Sequence, residues 1–191
     1  MRKASKYIFM DRDGVINVDA GNGYIDHWGK FRFLAGSLPA LRLLTEKGYK
    51  VVVISNQAGI AKGFYSLKDL REMTRRMQKR IESRRGKLSA VYYCPHRRED
   101  RCPCRKPKTG LFRRAQRRFG MTFRETPVIG DSMVDIRAGK TLRCPTVLVL
   151  SGREKLSRRK VWEVQPDTVQ KNLLEAVRWV LRREVEGSNT S

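Results

Sequence analysis

The stretch YIFMDRDGVIN, Tyr7 to Asn17, sets four apolar residues ahead of two carboxylates one residue apart, and a glycine follows. A short apolar run bounded by polar residues reads as a buried strand. Four further runs rich in β-branched or aromatic residues follow it, near Lys50 to Ile54, Ala90 to Tyr93, Thr126 to Ile129 and Thr146 to Leu150. Between them lie segments of helical period. SLKDLREMTRRMQKRIESRRG carries Leu67, Leu70, Met73, Met77 and Ile81 at steps of three and four, with Ser66 and Asp69 placed as a capping pair and Gly86 past the end. Leu38 to Lys47 closes on Gly48, and Gly110 to Phe119 closes on Gly120. A last helix is expected over Val169 to Arg183, burying Leu173, Val177, Val180 and Leu181. Strands alternating with helices predict an α/β domain around a parallel sheet.

In such a sheet, ligands sit beyond the carboxyl ends of the strands. The unusual polar clusters all fall there: Asp11 and Asp13 after the first strand, Ser55, Asn56 and Gln57 after the second, Cys94 to Lys106 after the third, and Gly130 to Asp135 after the fourth. Asp11 and Asp13 are expected to point different ways while staying near one small volume. Asp131 and Asp135 can add carboxylates to the same edge. Clustered acids repel one another unless a cation sits among them, and all-oxygen ligation selects a hard ion such as Mg²⁺. Magnesium on few protein carboxylates keeps waters that a phosphate oxygen can replace, which points to a phosphorylated substrate. Phosphoryl transfer then needs a nucleophile, a proton donor and cationic or hydroxyl groups around the phosphoryl oxygens. Asp11 is the candidate nucleophile, Asp13 the acid and then base, and Ser55 and Lys106 the phosphoryl holders.

The run CPHRREDRCPC supplies Cys94, His96, Cys102 and Cys104 within eleven residues. Three thiolates and an imidazole match a closed tetrahedral Zn²⁺ site, structural because no position is left for water. Cys104 abuts Arg105 and Lys106, so zinc would position phosphate-binding side chains without doing chemistry. Cys144, beside Pro145, reads as an ordinary buried thiol.

The chain has 191 residues, 40% of them hydrophobic, enough for one domain with a real core. Lys and Arg number 42 against 19 Asp and Glu, a net charge of +23. That field favours an anionic partner, whether nucleic acid, a membrane surface or a phosphorylated metabolite. Without a long apolar run or a secretion signal, a cytoplasmic location and no membrane partner are expected.

In that order, DRDGVIN, the serine closing the second strand, RKPK at Arg105 to Lys108 and GDSMVD resemble the four motifs of the haloacid dehalogenase superfamily of aspartyl-phosphate phosphatases. The resemblance covers roughly Tyr7 to Leu150. It implies a Rossmann-like three-layer αβα sandwich with a central parallel sheet, an aspartyl phosphate formed on Asp11, and Mg²⁺ held by Asp11, the Asp13 main-chain carbonyl and Asp131, with Asp135 supporting the metal from behind. Many members insert a cap domain after the first or second motif; here those intervals are taken up by core elements, so no large cap domain is expected.

The cysteine loop ahead of CRKP narrows the resemblance to the branch of the histidinol-phosphate and heptose-bisphosphate phosphatases. INVDAGNGYI, SNQAGIAKG and KPKTGLF are similar to the heptose side. That likeness implies hydrolysis of the 7-phosphate of a heptose 1,7-bisphosphate, in the synthesis of lipopolysaccharide core precursors; separately, a monomer is expected. It assigns Asp19, Gly23, Tyr24, Asn56, Gln57, Ala58, Arg105 and Ser132 to the substrate pocket. Three departures bear on the sugar: a longer path from Asp19 to Gly23 and Tyr24, the short His96 to Cys102 spacing shared with histidinol members, and Ser132 where some heptose members carry lysine. Alternatives are a histidinol-phosphate phosphatase and a nucleic-acid-binding protein or nucleic-acid-end phosphatase; no aromatic residues interleave with the helical basic residues of 71–85 and 113–118 as a single-strand platform requires. One domain is expected over residues 1–184, with 185–191 as a disordered tail.

Overall fold

The computed structural model describes residues 5–188. Six parallel strands form one sheet, β1 (Lys6–Met10), β2 (Tyr49–Asn56), β3 (Leu88–Cys94), β4 (Val128–Gly130), β5 (Thr146–Val149) and β6 (Thr168–Gln170), in the order β3-β2-β1-β4-β5-β6. β1 lies near the middle, with Met10 beside Val53 on one side and Ile129 on the other. The acids that follow it therefore emerge at the centre of the carboxyl edge.

Alternation along β1 and β2 divides the core in two. Ile8, Met10, Val51 and Val53 pack with α1 (Ser37–Glu46), α2 (Leu67–Glu82) and α5 (Leu173–Ser188). Tyr7, Phe9, Val52 and Ile54 pack on the other face with α3 (Gly110–Phe119) and α4 (Met133–Thr141). Two helical layers around one sheet are the three-layer sandwich expected. Strands buried on both faces read as continuous apolar runs, which is why β2 presents VVVI without alternation. The Ser66–Asp69 pair forms the full capping box at the start of α2. No large cap domain is present among the described residues.

The C-terminal region differs from expectation. Thr168 to Gln170 add an edge strand, with Val169 beside Leu148, rather than opening the last helix. The helix starts after Asn172, whose Oδ1 accepts from the Glu175 N–H at 3.1 Å, an N-cap the apolar period overlooked. Leu181 is only half buried. Helical backbone runs on to Ser188, into the stretch expected to be a disordered tail; residues 189–191 lie outside the described residues. Short 3₁₀ turns at Trp28–Lys30, Phe123–Glu125 and Leu156–Val161 were not foreseen.

Candidate active site

At the end of β1 the chain makes a sharp turn in which Gly14 takes φ +75°. Before it, Asp11 and Asp13 diverge as expected. Asp11 Oδ1 accepts from the Arg12 N–H at 2.7 Å and lies 3.0 Å from Lys106 Nζ. Asp13 turns instead to a buried polar group: Arg12 Nη2 reaches both its oxygens at 3.0 Å, Asn17 Nδ2 its Oδ1 at 2.8 Å and Gln57 Nε2 its Oδ2 at 2.7 Å.

Lys106 comes from the loop after β3, yet its side chain is only 2% exposed. Its ammonium also meets Asp135 Oδ1 at 2.6 Å and donates to the Ile54 carbonyl at 2.6 Å. Asn56 anchors the backbone behind it, its Oδ1 accepting from Lys106 N at 3.0 Å and its Nδ2 donating to Lys106 O at 3.2 Å. The Lys106–Pro107 peptide is cis. Asp135, on the first turn of α4, accepts from Ser132 Oγ at 2.5 Å. Asp131 is 2% exposed and accepts from the Arg153 N–H at 2.9 Å.

Oxygens of Asp11, Asp131 and Asp135 lie within 4.8 Å of one another. Burial pushes the Asp11 carboxyl up to about 6; Lys106 opposes the rise while Asp135 and Asp13 add to it. Burial likewise raises Asp131 well above the carboxylate range, reinforced by Asp135 and Asp11. Burial would raise Asp13 too, but Arg12, Asn17 and Gln57 outweigh it and hold that carboxyl below its ordinary value. Burial works against the Lys106 ammonium, and Asp11 with Asp135 more than compensate. One lysine among three close acids leaves negative charge uncompensated, and the donors are all oxygen, so the residues fit Mg²⁺. The space is held open by backbone: a Cβ on Gly14 would come within 2.3 Å of Asp131 Oδ2, and one on Gly152 within 2.1 Å.

Above these groups opens a cleft of about 620 Å³. Of the residues assigned to the substrate pocket, Asp19, Tyr24, Asn56, Ala58, Arg105 and Ser132 line it; Gly23 and Gln57 do not. Gln57 is 3% exposed and faces inward. The rim carries Arg97, Arg98, Arg101, Lys108, Arg137 and Arg153 besides Arg105.

At the zinc-type loop, Cys104 Sγ lies 3.3 Å from the sulfurs of both Cys94 and Cys102, and His96 Nδ1 lies 3.2 Å from Cys104 Sγ. Cys94 Sγ is 3.6 Å from Cys102 Sγ and 3.7 Å from His96 Nδ1. A tetrahedron with Zn–S bonds of about 2.3 Å has edges of about 3.8 Å, so the four ligands need only slight expansion to close on zinc. Arg105 donates from Nη1 to the His96 carbonyl at 3.1 Å, tying the loop to the rim. Cys144 stays apart, buried, its thiol pushed up to about 12 by burial.

Several contributors were not foreseen. Arg12, 1% exposed, continues the inward alternation of Ile8 and Met10, a signal hidden by the abundance of arginine in this chain. The loop after β5 closes the site: Ser151 Oγ donates to the Gly14 carbonyl at 2.7 Å, Gly152 packs on Asp131, and Arg153 pairs with Asp19 at 2.7 Å. SGRE carries no sequence pattern that marks it.

The chain matches a family model described as HAD-hydrolase-like over residues 103–176 and one described as polynucleotide kinase 3 phosphatase over residues 7–134. It is 36% identical over 146 residues to the D-glycero-β-D-manno-heptose-1,7-bisphosphate 7-phosphatase of Pseudomonas aeruginosa, covering 76% of this chain and 82% of that one. The protein of the same name from Haemophilus ducreyi is 34% identical over 183 residues, covering 92% and 98%. Among solved structures, D,D-heptose 1,7-bisphosphate phosphatase from B. bronchiseptica, complexed with magnesium and phosphate, superimposes with a TM-score of 0.86 at 30% identity, covering 93% of this chain and 99% of that one.

Proposed function

Because the chain belongs to the HAD-like hydrolases, in the family of the heptose-bisphosphate 7-phosphatases it matches, we propose that it hydrolyses the 7-phosphate of D-glycero-D-manno-heptose 1,7-bisphosphate. The observation that supports this most directly is the convergence of Asp11, Asp131 and Asp135 around Lys106 beneath a cleft rimmed with arginine.

Asp11, Asp131 and the Asp13 main-chain carbonyl would hold Mg²⁺, with Asp135 behind them. Bound there, magnesium neutralises the carboxylates and draws charge from the phosphoryl oxygens. An Asp11 oxygen attacks phosphorus as the ester P–O bond breaks; Asp13, held ionised in the free site by Arg12, Asn17 and Gln57, takes a proton from the entering phosphate monoanion and passes it to the departing sugar oxygen. Water then attacks the aspartyl phosphate, Asp13 takes the water's proton, and the bond from phosphorus to Asp11 breaks, restoring the carboxylate and releasing phosphate. Two modest barriers replace one high one. Ser55 and Lys106 hold the phosphoryl oxygens. Arg105 meets a charged group away from the reacting phosphate. Tyr24, Asp19, Asn56, Ala58 and Ser132 surround the sugar, while Gly23 and Gln57 lie outside the cleft lining. Cys94, His96, Cys102 and Cys104 would hold Zn²⁺, which would fix the loop that delivers Arg105 and Lys106. The setting proposed for this reaction is a monomer acting on a soluble metabolite in the cytoplasm. No helix among the described residues is long and apolar enough to cross a membrane. The same domain, 1–184, carries the whole reaction.

A second reading applies the same chemistry to a nucleic-acid 3′ end, favoured by the polynucleotide kinase 3 phosphatase match and the net charge of +23. Phosphate release from both heptose bisphosphate anomers, histidinol phosphate and a 3′-phosphorylated oligonucleotide separates the readings. The heptose substrates should give the largest kcat/KM. A dominant rate on the oligonucleotide or on histidinol phosphate would overturn the assignment.

A further inference from the structure

The Asp13 carboxylate is backed by a buried polar group that also reaches Ser55 and Tyr65. Arg12 is the largest fully buried side chain of the described residues. Taking a guanidinium out of water costs several kcal/mol unless it is paired and hydrogen-bonded. Here Nε and Nη2 donate to Asp13 Oδ1 at 3.2 and 3.0 Å, Nη2 also reaches Gln57 Oε1 at 3.1 Å, and the guanidinium lies 5.7 Å from the Tyr93 ring centroid.

Gln57 links two working groups. Its Nε2 donates to Asp13 Oδ2 at 2.7 Å and to Ser55 Oγ at 3.0 Å, so one amide nitrogen sets the spacing between the proposed proton donor and a proposed phosphoryl holder. Since Ser55 Oγ accepts from Gln57, its own proton is left to point at a phosphoryl oxygen. The amide cannot turn over. Its oxygen faces two donors, Tyr65 OH at 2.6 Å and Arg12 Nη2 at 3.1 Å, and a flip would set donors against donors and acceptors against acceptors. Tyr65 in turn packs on Tyr24, a wall of the cleft, with ring centroids 6.3 Å apart.

We propose that Arg12, Gln57 and Tyr65 are positioning residues that fix the Asp13 carboxylate for protonating the leaving oxygen, although none of the three lines the cleft. The inference rests on the reading of Asp13 as the acid. Misplacing a catalytic group by about 1 Å can cost about 10²-fold.

Leaving-group dependence tests it. Departure of an acidic phenol needs no proton, whereas a sugar oxygen does, and kcat/KM reports only steps up to leaving-group release. The kcat/KM for heptose bisphosphate and for p-nitrophenyl phosphate is measured in wild type, Arg12→Lys and Tyr65→Phe, each checked by thermal melting. Arg12→Lys keeps the charge but loses the fork; it should lower kcat/KM on the sugar about 10- to 100-fold and change the aryl ester only slightly. Tyr65→Phe removes one hydroxyl without disturbing packing and should shift the ratio the same way by a smaller factor. It decides the matter if Arg12→Lys fails to fold. Equal losses on both substrates, or an unchanged ratio in Tyr65→Phe with Arg12→Lys unfolded or likewise unchanged, overturn the proposal. Asp13→Asn run in parallel separates the premise: if it loses both substrates equally, the acid assignment is what fails; if it is selective and the other variants are not, only the positioning role falls.

Discussion

Lys106→Met is the most informative single perturbation of this site, because one ammonium faces three buried acids. Its side chain is 2% exposed and lies 2.6 Å from Asp135 Oδ1 and 3.0 Å from Asp11 Oδ1. Methionine keeps most of the volume and removes the charge and every side-chain hydrogen bond, leaving the backbone bonds to Asn56 in place. Breaking a buried ion pair by deleting one partner costs about 3–5 kcal/mol. For a domain of this size each kcal/mol moves Tm by about 2–4 °C, so the magnesium-free variant should melt about 6–20 °C below wild type. Magnesium should return much of that loss, since a ligand at a hundredfold excess over Kd adds about 2.7 kcal/mol and the more negative variant site binds the cation more tightly. The assay is circular-dichroism melting near neutral pH in protein freed of Mg²⁺ by gel filtration, then titrated with MgCl₂; a chelator is avoided because it would also strip the cysteine loop. Phosphate release should be lost at every Mg²⁺ concentration. A variant melting at the wild-type temperature without Mg²⁺, or gaining no more from Mg²⁺ than wild type does, would refute the idea that Lys106 balances this acidic cluster.

Asp11→Asn should abolish turnover while raising the melting temperature of the Mg²⁺-free protein, since it removes one of the crowded charges; appreciable phosphate release would show the nucleophile misassigned. Asp11 has a folded pKa of about 6 against an ordinary 3.8, so its folded state favours the proton. Its stabilising effect is full below the ordinary value and is lost as pH rises through about 6, and the Mg²⁺-induced rise in Tm should therefore grow as pH rises through that range; a pH-independent Mg²⁺ effect over this range contradicts the shift. Cys102→Ser should lose the roughly one zinc per chain expected by metal analysis and weaken phosphate release, and a zinc-free wild type of full activity would remove the positioning role of the loop. Far from the site, Asp167 accepts from Thr146 N and Oγ at 2.7 Å and from Lys140 Nζ at 2.6 Å. Burial opposes these partners, yet they hold its carboxyl below the ordinary value, so its contribution is present above that value and lost as pH falls below it. Asp167→Ala should cost about 1–3 kcal/mol near neutral pH and little in acid, read by urea unfolding at both pH values.

The amino-acid sequence by itself determined the layered α/β plan, because buried parallel strands must be apolar along their length and their covering helices must repeat every three to four residues; β1, α2 and α3 are legible on those grounds alone. It also determined which acids and which cysteines come together, since DRDG, GDSMVD and CPHRREDRCPC each concentrate their chemistry within a few adjacent residues. Tertiary structure decided what each group faces. Gln57 reads as a pocket residue and is instead turned inward to Asp13 and Ser55; Arg12 is one of 42 basic residues until β1 is seen to bury it; and Asp131 is closed in by Gly152 and Arg153, which no motif announces. Those partners sit on strands and loops far apart along the chain, 137 residues in the case of Gly14 and Ser151. A local pattern fixes the period and type of an element, whereas the charge balance and hydrogen-bond partners of a buried side chain are fixed only when distant segments are packed against it.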